Sequence, residues 1–136
     1  MLRRIGAVVA GVLAGVVIVT VNELICSKIY PLPPGTDLHN PKALAAAIRT
    51  LPIAALVLVL IGWFIAMLAA SWIAAAIAHN RVAGAIAGVM IFVAVVLNMA
   101  MFPHPSWFKG TAFAIFLVAV TLGPRLGAPR RTVAAG

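Results

Sequence analysis

Four apolar runs, at about residues 5–26, 51–78, 82–102 and 106–123, occupy most of this chain and hold few ionisable groups. Each is near or above the roughly 17–25 residues needed to cross about 30 Å of hydrocarbon at 1.5 Å per residue. The last is the shortest. A soluble domain has about a quarter of its residues charged. Here 9% are charged and 65% hydrophobic, with a mean hydropathy of +1.18. The sequence therefore predicts an all-α integral membrane bundle of four transmembrane helices, forming one domain over residues 1–124. Residues 125–136 are expected to be a flexible basic cytoplasmic tail, because the prolines, glycines and arginines from Pro124 onward present no apolar face.

Arg3 and Arg4 give the first run a basic start. Its length exceeds a signal peptide's apolar stretch of about 7–15 residues, and no A-x-A site follows. The residues before Cys26 also lack the small residue of a lipoprotein signal. An uncleaved first span is expected.

The net charge of +8 invites a nucleic-acid reading, but its distribution points to topology. In a four-span arrangement Arg3, Arg4, Arg81, Arg125, Arg130 and Arg131 fall on one side. Lys28, Lys42, Arg49 and Lys109 fall on the other. The richer side is cytoplasmic by the positive-inside rule, so both termini are expected inside a bacterial inner membrane. Their partners are then membrane lipids, with anionic head groups met at about 1 kcal/mol per basic residue, and not nucleic acid.

The loops on the outer side are the most distinctive segments. Prolines 31, 33 and 34 in "YPLPPGTD" forbid a helix, and Pro34-Gly35 marks a turn. "HNPKALAAAIRTLP" then carries a helix start, Asn40 as N-cap and Pro41 at the first helical position. A short periplasmic helix from about Pro41 to Arg49 is expected, with Pro52 opening the second span. In "FPHPSWFKG" two prolines end the third span, and Trp107 and Phe108 suit the head-group level.

"RIGAVVAG", from Arg4, resembles "RVAGAIAG", from Arg81, which suggests two similar hairpins repeated in parallel. Small residues recur at helical spacing: Gly11 and Gly15 in the first span, Gly84 and Gly88 in the third. Gly62, Ala66, Ala70, Ala74 and Ala78 form one stripe on the second. Lipid supplies no hydrophobic drive between helices, so such stripes hold a bundle together by close backbone approach. They do not separate packing within one chain from packing between chains.

The chain has two acids, Glu23 and Asp37. Glu23 lies 18 residues from Ile5, a rise of roughly 27 Å, close to the outer edge of the hydrocarbon. Asn98 comes to nearly the same height from Val82. Asn22, Glu23, Arg49, Asn98 and His104 form a candidate outer-side polar cluster. A clasp of Glu23 with Arg49 or Asn98 is the first reading, and a ligand or ion site lined by Glu23, Asn98 and His104 the second.

Small multidrug-resistance transporters also have four spans in little more than a hundred residues. Their glutamate sits near the middle of the first span and their other patterns are missing here, so that match fails. Met99, Met101, His104 and Cys26 are soft groups on the outer side, but methionines in apolar helices usually pack. No histidine pair at one depth suits haem. No nucleophile–base, paired-carboxylate, phosphate-loop or zinc pattern occurs. No catalytic residue, metal ligand or cofactor is expected, and two acids give acid–base catalysis little material.

"YPLPPGTDLHNPKAL…LP" together with "MFPHPSWF" resembles a group of uncharacterised small bacterial inner-membrane proteins with four predicted spans. The resemblance covers most of the chain up to about Leu122. It implies the same topology and membrane, and carries no activity. The first expectation is a non-enzymatic accessory partner that assembles through its Gly/Ala stripes, as a homo-oligomer or in a larger membrane complex. The alternatives are a small oligomeric transporter or channel with its outer mouth at Glu23 and Asn98, and lipid or quinone binding between helices.

Overall fold

The computed structural model describes residues 1–128. They form five helices: α1 (Leu2–Ile29), α2 (Pro41–Thr50), α3 (Ile53–Ala78), α4 (Arg81–Met101) and α5 (Ser106–Gly127). No strand occurs among them. All but α2 are long and apolar enough to cross a membrane. The fold is that of a multi-pass membrane protein, with the short helix in the first loop where Asn40-Pro41 predicts it.

Local chemistry sets the boundaries. Asn40 Oδ1 accepts from the N–H groups of Lys42 and Ala43 at 3.0 and 3.4 Å, satisfying donors the first turn of α2 would leave orphaned. Gly35 takes the positive φ of 80° that the Pro34-Gly35 turn requires. Pro52 does not enter α3 but stands as its N-cap in extended conformation. At the other end His79 turns left-handed (φ 50°, ψ 37°) and Asn80 restarts the chain. Asn80 Oδ1 accepts from Val82 N–H at 2.8 Å and Ala83 N–H at 3.4 Å. A two-residue turn thus joins two spans.

α3 is the central helix. It packs on α1, α4 and α5, while α1 and α5 make no close backbone approach to each other. The stripe Gly62, Ala66, Ala70 and Ala74 is buried. The small face of α1, Ala7, Gly11 and Gly15, rides along it. A methyl on Gly11 would come 2.5 Å from the Ala70 carbonyl oxygen and 2.9 Å from Ala74 Cβ. Gly88 of α4 approaches the neighbouring Ser71 of α3 instead. The two glycines of the sequence echo therefore dock at one level of α3 from two directions. The stripe is covered within the chain.

α5 corrects the expected boundary. It does not stop before Pro124 but runs through it to Gly127. Proline lacks one donor there, yet the segment is seated: Gly123 and Gly127 lie against the Leu68 and Trp72 carbonyls of α3, too close for any side chain. The first residues of the expected tail, from Arg125, are helical. The rest of it, 129–136, lies outside the described residues.

Candidate functional site

Asn22 and Glu23 are consecutive on α1, so their side chains diverge by about 100° around the helix axis. Asn22 turns to α3. Its carboxamide lies over Gly62, where any Cβ would overlap it, and its Nδ2 reaches Cys26 Sγ at 3.7 Å. Gly62 is thus more than a packing position: it is the niche that admits an amide to the α1–α3 interface.

Glu23 turns toward α4. It lines a cleft of about 230 Å³ with Val16, Val19 and Thr20 of α1, Ile91, Ala94, Val95 and Asn98 of α4, and Trp63 of α3. Glu23 is exposed and Asn98 half-buried on its wall. The structure brings these two predicted residues to one cavity without a direct hydrogen bond between them. Apart from Thr20, every other wall residue is apolar.

Arg49 and His104 belong to a second cleft, of about 300 Å³, with Ile48, Leu51, Ile53, Leu56, Pro103, Pro105 and Trp107. The His104 ring stacks on Phe108 at 4.5 Å between centroids and tilts against Trp63 at 6.0 Å. Its Nδ1 lies 2.8 Å from the Phe102 carbonyl oxygen, so a neutral ring protonated at Nδ1 donates there. Burial pulls its pKa below the ordinary value. The hydrogen bond to Phe102 opposes this, and the nearby Lys109 charge adds to it.

The predicted polar layer is therefore divided. The expected Glu23–Arg49 clasp is not formed. Glu23 faces the α1–α4 seam and Arg49 faces the loop before α5, and the Trp63–His104–Phe108 aromatic group connects the two cleft walls. Among the described residues the one contact within 4 Å between a carboxylate and a basic side chain is Asp37 Oδ1 with His39 Nδ1, at 3.8 Å in an exposed loop. Asn98 shares Glu23's cavity, while His104, the third residue of the second reading, lines the other cleft.

The sequence reading missed Trp63. It is 2% exposed, packs edge-on to Phe108 at 5.3 Å, and forms the inner wall of Glu23's cleft. The available signal was a tryptophan well inside a span, away from the head-group level where such residues concentrate. Met99 is buried in the core and no group of three potential metal ligands occurs among the described residues.

Comparison with protein-family models, with curated proteins and with solved structures finds no match.

Proposed function

We propose that this is a non-enzymatic protein of a bacterial inner membrane, both termini cytoplasmic, that binds an amphiphile in the outer α1–α4 cleft. One observation carries the reading: a carboxylate and a carboxamide, Glu23 and Asn98, share an otherwise largely apolar cavity between two spans. Glu23 accepts from a cationic head, Asn98 donates and accepts beside it, and the Trp63 indole lines the same space. Cations are held by such rings within about 6 Å of the centroid. The volume is below the roughly 300–1,000 Å³ of drug-sized pockets. It suits a small amine head or one stretch of chain, with the remainder lying along the lipid-facing helices.

The test is a binding isotherm in lipid nanodiscs for a long-chain primary alkylamine, with the alcohol of equal length as comparison. Glu23→Gln should weaken amine binding about tenfold and leave the alcohol unchanged, as loss of one charge-assisted contact predicts. Equal amine binding by the variant and the parent would end the proposal.

A second reading, an accessory partner within a larger membrane assembly, is favoured by α2. This helix makes no close backbone contact with any span and offers Lys42 and Arg49 on exposed positions. Gentle extraction from native membrane tests it. A co-purifying protein released by charge reversal at Lys42 and Arg49 supports it, and a lone homo-oligomer or monomer contradicts it.

A further inference from the structure

The α1–α4 seam has a second cleft at its opposite end. It encloses about 360 Å³ between Arg4, Ile5, Val8 and Val9 of α1 and Asn80, Val82, Ala83 and Ile86 at the start of α4. Six of those eight residues are aliphatic, and the two polar ones stand together where both helices leave the apolar layer. Its sign is the reverse of the outer cleft's: a cation, Arg4, where the other has Glu23.

We propose that this cleft holds an anionic phospholipid of the adjacent leaflet, one acyl chain along Ile5, Val8, Val9 and Ile86, and its phosphate at Arg4.

Charge complementarity selects the occupant. Arg3, beside it in sequence, is committed: its Nε donates to the Ile77 carbonyl oxygen at 2.9 Å, tying α1 to the last turn of α3. That carbonyl is one a helix end leaves without an internal partner. Arg4 has no side-chain hydrogen bond or ion pair among the described residues and lines the groove. Asn80 spends Oδ1 on the Val82 and Ala83 N–H groups, which leaves its amide N–H groups for a phosphate or ester oxygen. Arg81, exposed at the first position of α4, adds a second cation at the same end. No acid lies near: Glu23 is at the far end of α1 and Asp37 is in the opposite loop. A guanidinium, a free amide and an aliphatic trough fit a phosphodiester with an acyl chain. A quinone or a neutral lipid leaves Arg4 unpaired. The site stands apart from the Glu23 reading and does not depend on it.

The test is native mass spectrometry of the intact chain from mild detergent, with phosphatidylglycerol and phosphatidylcholine of identical chains added separately. Parent protein should retain phosphatidylglycerol preferentially. Arg4→Gln should cut that preference about fivefold, the roughly 1 kcal/mol of one basic residue at an anionic head group. Arg125→Gln, which changes a cation at the same end but outside the cleft, should leave it intact. Val9→Trp, on an exposed position of the trough wall, should weaken retention of both lipids. Equal losses from Arg4→Gln and Arg125→Gln would overturn the site in favour of diffuse surface charge. A dimer that retains no lipid and dissociates with Val9→Trp would overturn it by seating a second copy in the groove.

Discussion

Gly15 of α1 lies directly against Ile91 of α4: a methyl on Gly15 would stand 2.7 Å from Ile91 Cδ1 and 3.2 Å from the Ala66 carbonyl oxygen. This contact lies between the two clefts of one seam, the Glu23 cleft lined from Val16 and Ile91 onward and the Arg4 cleft ending at Val9 and Ile86. Closing the seam at this point lets both ends open to lipid while the bundle stays packed. Gly15→Ala should therefore push α4 from α1 and lower stability by about 1–3 kcal/mol, the usual cost of overpacking. Thermal unfolding in detergent measures it, and an unchanged midpoint would mean Ile91 simply rotates away.

The Asn22–Gly62 niche makes a separable prediction. Gly62→Ala should destabilise by a similar amount, because its methyl overlaps the Asn22 carboxamide. Asn22→Ala combined with Gly62→Ala should recover part of that loss, since the clash is removed with the amide. A double-mutant cycle reads the coupling. Strict additivity would show that the two residues do not meet.

Ser71 is fully buried at the junction of α3 with α4 and α5, and its Oγ has no hydrogen-bond partner. Gly88 leaves the space that hydroxyl occupies, and Gly123 packs on its Cβ. An unmet buried hydroxyl costs about 1–3 kcal/mol, so Ser71→Ala should be neutral or stabilising. Ser71→Val should destabilise, because the surrounding glycine contacts leave no room for branching. A marked loss of midpoint with Ser71→Ala would show that the hydroxyl has a partner in the membrane.

Stability should fall on mild acidification, with His104 as the group responsible. Its folded pKa lies below the ordinary value. The unfolded chain therefore takes up the proton first, and stability is lost as pH falls from near 6.5 toward the folded value. Above that window the contribution is complete. His104→Phe, which keeps a ring against Phe108 and Trp63, should flatten this part of the profile. Midpoints collected between pH 7.5 and 5 would decide it, since an equal slope in parent and variant assigns the dependence elsewhere.

The sequence makes legible what depends on distance along the chain. Span length, the Asn40-Pro41 helix start and the depth of Glu23 and Asn98 are all counts of residues multiplied by a rise. Direction around a helix is different. Asn22 and Glu23 share a depth but face different neighbours, and only the packing of α1 on α3 decides which meets Gly62 and which meets the cleft. The clasp with Arg49 failed for that reason: a common level does not make a common site. The end of α5 was illegible in a second way. Pro124 signals a stop locally, while the glycines on either side give α3 a surface to hold, and tertiary contact outweighs the local preference. The stripe on α3 was legible, but its partner, α1 of the same chain, was not.

The central claim is that a ligand's amine reaches Glu23 over Trp63, and Trp63 itself reports on it most directly. The parent for this measurement carries Trp72→Phe and Trp107→Phe, both at exposed positions, so Trp63 is the sole indole. A nitroxide-bearing long-chain amine is titrated into nanodiscs, with the nitroxide alcohol as reference. The account predicts saturable quenching by the amine at about tenfold lower concentration than the alcohol, with that advantage lost in Glu23→Gln, as one charge-assisted contact supplies. Quenching that rises without saturation, equally for amine and alcohol and with Glu23→Gln no different, would contradict it.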